Sequence, residues 1–245
     1  PDPTITGASP KTVGCRCVAP VNKTSKDNDK LKDMKMDKIC NRGMKLYEPD
    51  VWTRRATLAL GCFWGVEAQF GCSREVLIRT RVGYTGGTTQ DPTYRNLGDH
   101  TEVIDIEYHP NSTTYERILT MFWEVNDSAT KCRKRQYMSA IFYHNPIQKR
   151  LAEKWMAKAQ RKYATPIQTP ILPLDVFHEA EDYHQKFTLR RHPKLVQSLG
   201  LSDKQLIGSH IAARLNGYLV HFGTLEAFRK EVDNWGILPT RRTMC

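Results

Sequence analysis

The stretch that most constrains this chain is Ala56–Gly65, ATLALGCFWG. Small and apolar residues run up to Leu60, Gly61 interrupts them, and Cys62, Phe63 and Trp64 lead into a helical pattern, VEAQF. That order reads as a buried strand, a tight glycine turn and the first turn of a helix. Cys62 then stands at or just before a helix N-terminus, where unpaired N–H groups and the helix dipole favour a thiolate. The glycines on either side let backbone or ligand approach closely. The plainer reading is a core cysteine, since cysteine is among the residues most often buried.

Residues 1–50 are polar and lysine-rich without sustained periodicity, and read as a disordered basic leader. After the strand Ala56–Leu60 and a short helix ending near Gly71, alternation over Val76–Val82 predicts a second strand. The polar loop that follows, through Asp99, exceeds ordinary connection lengths, which marks function or disorder. Thr101–Tyr108 predicts a third strand, with Glu102 on the same face as Ile104, Ile106 and Tyr108. A carboxylate on an apolar face has two readings. Either it sits at an exposed strand end, or it is desolvated and holds a proton near neutral pH.

Thr113-x-x-Glu116 has capping-box spacing ahead of a helix through Phe122. Gln136–Tyr143 reads as a fourth strand, and Pro146 opens a helix with Ile147, Leu151, Trp155 and Ala159 on its expected buried face. The order predicts an α+β fold, a ferredoxin-like split β-α-β-β-α-β two-layer core. That core, with the catalytic chemistry, is assigned to residues 51–190, and a helical extension packed on it to residues 191–245. Within the extension a break is expected at Asn216-Gly217.

The net charge of +11 is uneven, with ten Lys or Arg against the single acid Glu153 between Lys131 and Lys162. A nucleic-acid interface and a solvated helix face both fit such a run. No recognition motif accompanies it, so the solvated face is preferred and no nucleic-acid partner is expected. Seven cysteines at irregular spacing, with no CxxC pair, point to a reduced, cytoplasmic setting rather than a disulfide scaffold or metal knuckle. No apolar run approaches the roughly 18 residues of a membrane span. A monomer with no bound cofactor and no metal is expected.

GCFWG resembles the active-site signature of the A-type peptide methionine sulfoxide reductases. Val82-Gly83-Tyr84-Thr85-Gly86-Gly87, Gly98-Asp99-His100-Thr101-Glu102-Val103, Gln136-Tyr137-Met138-Ser139-Ala140-Ile141 and Phe177–Gln185 are similar to that family's other blocks, in its order. The resemblance spans about Thr57 to Gln185. It implies an α+β fold and reduction of methionine S-sulfoxide, free or in oxidised proteins. It assigns Cys62 as nucleophile, Glu102 as proton donor, Phe63 and Trp64 as methyl pocket, and Tyr84 and Tyr137 as hydrogen-bond partners of the sulfoxide oxygen. It further implies recycling through a disulfide by the external dithiol thioredoxin.

The chain departs from the family pattern in two places. Cys132 stands where an acid usually precedes the motif tyrosine by five residues, and the usual pair of tail cysteines is missing. Cys245, terminal and therefore mobile, is taken as the resolving thiol, with Cys132 its rival. A cysteine hydrolase pairing Cys62 with His100 or His184, and a basic nucleic-acid-binding module, are the alternatives from other classes.

Overall fold

A computed structural model describes residues 39–40, 45–73, 77–126, 134–236 and 238–239. Strand β1 (Ile39–Cys40) is followed by β2 (Arg54–Leu60), helix α1 (Phe63–Gly71), β3 (Leu77–Thr85), β4 (Thr101–Tyr108) and α2 (Tyr115–Val125). A 3-10 turn, Arg135–Tyr137, leads to β5 (Ser139–Tyr143), α3 (Pro146–Gln160), β6 (Ile171–Pro173) and β7 (His178–Glu179). Five shorter elements carry the rest of the chain up to a last strand. They are α4 (Phe187–Arg190), α5 (Pro193–Leu199), α6 (Asp203–Ile207), α7 (His210–Tyr218) and α8 (Leu225–Val232), before β8 (Leu238–Pro239). The fold is mixed α/β around one six-stranded sheet in the order β6-β5-β2-β4-β3-β7. All neighbours pair antiparallel except β5 with β6, and β1 pairs separately with β8.

Alternation gives the sheet two different faces. Ala56, Leu58 and Leu60 of β2, Ile104, Ile106 and Tyr108 of β4 and Ile141 of β5 pack against Val66 and Phe70 of α1 and Ile118, Leu119 and Phe122 of α2. On the other face Asp105 takes Arg55 and Arg81, each at 3.0 Å, and a hydroxyl bond from Thr57. A bulge between Leu77 and Arg79 resets the alternation of β3, placing Leu77 in the apolar cluster and Arg79 and Arg81 on the ionic face.

Three local expectations are corrected. Thr114, not Thr113, caps α2, accepting from the amide of Arg117. Gln136 and Tyr137 belong to the 3-10 turn, so β5 starts only at Ser139. Ile147 is 62% exposed and Leu151 and Trp155 are half-buried, while α3 buries Gln148 and Ala152 together with the expected Ala159. Gln148 is inward because its side chain bridges the amide of His144 and the carbonyl of Arg55.

The C-terminal helices rest on α1. A Cβ at Gly71 would lie 2.2 Å from the Ala213 carbonyl oxygen, and one at Gly217 would lie 2.3 Å from that of Ala68 and 2.4 Å from the Cys72 sulfur. Gly217 therefore does not break α7, which continues to Tyr218; it lets two helices touch backbone to side chain. Arg214 reaches back to the Gly71 and Ser73 carbonyls and is itself paired with Glu231 at 2.6 Å. Deeper, Glu67 of α1 and Lys186 form an ion pair at 2.6 Å with both side chains fully buried. The Lys186 ammonium also donates to the carbonyls of Thr80 and Ile207, so one side chain ties α1, β3 and α6 together. Residues 45–50 lie on the same assembly: Tyr47 donates its amide to the Trp235 carbonyl, and Glu48 accepts from the amide of His210. The rest of the expected leader, residues 1–38 and 41–44, lies outside the described residues.

Candidate active site

Gly61 adopts φ of +86°, a left-handed turn that a side chain would disfavour, and it swings the chain from β2 into α1. Cys62 is the residue before the first helical turn, half-buried, and its side chain makes no capping bond to the helix. The first helical amide, that of Phe63, donates to Glu102 Oε2 at 3.0 Å. Glu102 therefore lies against the residue next to the thiol. It is 1% exposed, on the helix-covered face of β4, so the exposed-end reading of this carboxylate is replaced by the buried one.

Its other oxygen accepts from the Gln136 amide at 2.7 Å. The 3-10 turn brings Gln136 there, since a strand over these residues would follow a different path. Burial pushes Glu102 up to about 7, against the opposing pull of the Phe63 and Gln136 hydrogen bonds. Desolvation wins, and at neutral pH the carboxyl is divided between its acid and its base form.

Aromatic side chains surround this pair. Phe63 is buried and 5.8 Å from the Tyr84 ring, which lies opposite Glu102 in the β3–β4 register. The Trp64 indole is half-buried and stacks on Phe187 at 3.8 Å. Tyr137 is half-buried and bonded to Tyr94. Burial, with the Tyr94 bond and the nearby Glu102 and Cys62, pushes its phenol up and keeps it a neutral donor. Tyr84 is raised too, by burial first and then by Glu181, to which its hydroxyl donates at 2.8 Å. Two tyrosines, one carboxyl near neutrality and one thiol thus lie close together, with Phe63 among them.

The long loop after β3 is tied down. Asp99 accepts from the amides and hydroxyls of Thr88 and Thr89, bonds that hold its carboxyl well below the usual range. Arg135 donates to the carbonyls of Asp99 and Gly86, fixing the 3-10 turn to that loop. His100 commits both ring nitrogens to its own loop, at Gly87 and Thr89. His184 accepts from the Trp64 indole through Nδ1, while its Nε2 has no hydrogen-bond partner among the described residues. With both ring nitrogens committed within its loop, His100 is not poised to serve Cys62 as the base of the hydrolase reading.

The sequence model described as peptide methionine sulfoxide reductase matches residues 54–211. The chain is also 42% identical over 202 residues to the peptide methionine sulfoxide reductase of Drosophila melanogaster, covering 82% of each. The chain belongs to the peptide methionine sulfoxide reductase family. As a member, it is an oxidoreductase acting on methionine sulfoxide. A second sequence model, described as the helical domain of selenoprotein methionine sulfoxide reductase A, matches residues 200–237.

Two solved structures share the reductase fold. The reduced form of Mxr1 from Saccharomyces cerevisiae is 26% identical with a TM-score of 0.54, over 61% of this chain and 91% of that one. Methionine sulfoxide reductase A of Corynebacterium diphtheriae is 28% identical with a TM-score of 0.52, over 60% of this chain and 78% of that one.

Three residues around these side chains were not singled out from the sequence: Tyr94, Gln136 and Glu181. Gln136 and Glu181 lie inside blocks quoted for the resemblance, and His184, weighed only as a base for Cys62, instead holds the Trp64 indole. Tyr94 lies in the loop whose length alone flagged function. Of the thiols, Cys132 and Cys245 lie outside the described residues. Cys72 follows the last residue of α1, about 15 Å along the helix from Cys62 at 1.5 Å per residue, and is buried against α7. It cannot reach the nucleophile while α1 is intact. Among the described residues no cluster of three metal-ligating side chains occurs, and no helix is long and apolar enough to cross a membrane.

Proposed function

We propose that Cys62 reduces the S-epimer of methionine sulfoxide by direct attack, with Glu102 as the proton donor. The observation that carries this reading is Glu102 itself: fully buried, bonded to the amide beside Cys62, and raised to about 7. The Cys62 thiolate bonds to the sulfoxide sulfur while the proton of Glu102 passes to the sulfoxide oxygen. The oxygen moves to the cysteine sulfur, methionine departs, and Cys62 is left as a sulfenic acid. The substrate sulfur gains the two electrons that the cysteine sulfur loses. Tyr137, a neutral donor near Cys62, holds the oxygen. Tyr84 joins it by turning its hydroxyl from Glu181. Phe63 and Trp64 supply the apolar wall for the methyl group, a surface with an affinity for sulfur.

A second thiol, assigned to Cys245, condenses with the sulfenic acid and releases water. The disulfide is then exchanged with thioredoxin, the family's usual dithiol. No bound cofactor enters this scheme. We read the enzyme as a cytoplasmic monomer acting on free and protein-bound methionine sulfoxide. Edge strands of only three and two residues, β6 and β7, support the monomer by offering little to a second sheet. We also read the core as the split ferredoxin-like unit with one strand added at each edge. The central order β5-β2-β4-β3, antiparallel throughout, supports that reading.

The test is reduction of each sulfoxide epimer with dithiothreitol as reductant. The wild type turns over the S-epimer, and Cys62→Ser abolishes turnover with the fold unchanged by circular dichroism. A tenth of the activity remaining in the serine variant removes Cys62 from the role.

A further inference from the structure

We propose that His184 is the positioning residue that sets the Trp64 indole as a wall of the methyl pocket, and so limits the size of the group the site accepts. The inference rests on the assignment of Trp64 to that pocket. Trp64 is pinned in two independent ways. Its face stacks on Phe187 at 3.8 Å with the rings 4° from parallel, and its edge donates Nε1–H to His184 Nδ1 at 3.0 Å. Stacking alone leaves a planar side chain free to slide and rotate in its plane; the edge bond fixes that remaining freedom.

The imidazole is a rigid anchor. It is 1% exposed and boxed by the rings of Tyr183 at 4.1 Å, Tyr94 at 4.6 Å and Phe63 at 5.2 Å. Because Nδ1 accepts, the ring proton sits on Nε2, which has no hydrogen-bond partner among the described residues and stands 3.9 Å from Glu181 Oε2. A buried imidazole with an unpaired nitrogen carries a desolvation cost that an apolar ring of similar size avoids. Packing alone therefore does not account for a histidine here. Its distinct contribution is the acceptor at Nδ1. The Glu181 carboxylate beside it also receives the Tyr84 hydroxyl, so Tyr84 and His184 have that carboxylate as a common neighbour.

The experiment compares His184→Phe, which keeps a ring but removes the acceptor, with His184→Asn, whose amide oxygen lies where Nδ1 stands. Single-turnover reduction is measured on methyl and ethyl sulfoxide substrates of otherwise equal structure. His184→Phe raises the half-saturating concentration for the methyl substrate about tenfold, the effect of leaving one buried N–H unpaired. The rate at saturation stays within about threefold, and preference shifts toward the ethyl substrate. His184→Asn restores both quantities to near wild type, which a role in packing alone does not predict.

If His184→Phe does not fold, His184→Gln, whose amide extends past the Nδ1 position, serves in its place and shows the same losses. Wild-type saturation and ethyl-to-methyl preference in the acceptor-less variant overturn the inference, as does an asparagine variant as impaired as the phenylalanine one. Trp64→Leu separates the two levels. If it leaves both quantities unchanged, the pocket assignment fails and the inference with it. If it changes them while His184→Phe does not, only the role of His184 fails.

Discussion

Replacing Glu102 by Gln is expected to slow the chemistry and stabilise the fold at the same time. The Gln side chain keeps the shape, its carbonyl accepts from the Phe63 amide, and its NH2 donates to Gln136 once that amide turns over. What is lost is the transferable proton. A general acid is worth about a hundred- to ten-thousand-fold, so single-turnover reduction should fall by that order at pH 6. In the wild type the protonated fraction is about 0.9 at pH 6, one half at pH 7 and 0.1 at pH 8 for a carboxyl at about 7.

The wild-type rate therefore carries an alkaline limb centred near pH 7, and Glu102→Gln lacks that limb. For stability, the folded value lies above the ordinary 4.5, so the folded state binds more protons than the unfolded one between the two values. Wild-type stability falls as pH rises from about 4.5 to about 7 and is level above. With each pK unit worth 1.36 kcal/mol, the full difference is about 3 kcal/mol. Urea unfolding should show Glu102→Gln more stable than wild type by up to that amount at pH 8 and indistinguishable at pH 4. Equal rates within about threefold from pH 5 to 9 would show that the proton comes from elsewhere. A glutamine variant less stable at pH 8 would refute the desolvated carboxyl.

Lys186→Met leaves the Glu67 carboxylate buried without its ammonium and should cost about 3–5 kcal/mol, most of it recovered in the double variant with Glu67→Gln. Recovery is read from urea midpoints, and its absence means that lost carbonyl bonds to Thr80 and Ile207 dominate. Gly217→Ala should destabilise by about 1–3 kcal/mol in spite of alanine's higher helix propensity, because the new methyl meets the Ala68 carbonyl and the Cys72 sulfur. A rise in melting temperature would show that α1 and α7 can part cheaply. Cys245→Ser should leave the first turnover intact while ending recycling by thioredoxin. Peptide mapping of the substrate-oxidised wild type should find Cys62 joined to Cys245, and a bridge to Cys132 would reassign the resolving thiol.

The strands and the nucleophile helix were legible because their signals are local. Alternation over Thr101–Tyr108 marks β4 to the residue, and the glycine before Cys62 marks the turn into α1. Glu102 was visible as a charge out of phase with its face. What was not legible depends on partners distant in sequence. Gln136 looks like the first residue of a strand until its amide is seen on Glu102, 34 positions away. Gly217 looks like a helix breaker, and only the presence of α1 against it gives the missing side chain a purpose. Ile147 fits the apolar period of α3 yet faces solvent, because its polar neighbour Gln148 is the residue drawn inward, by backbone groups. The basic run from Lys131 is also explained in part, since Arg135 is bonded to two carbonyls of the site loop.

The helix bearing Cys62 is gripped along its whole length: Glu102 at its first amide, Lys186 through Glu67 in its middle, Arg214 at its last carbonyl. Such a mounting gives the sulfur almost no travel of its own. In the proposed cycle that sulfur meets a sulfoxide and then a second thiol. Both come, in turn, to an atom that does not move to meet them. In that scheme each partner has to leave before the next can reach the sulfur, so the order of events is kept by a single fixed place.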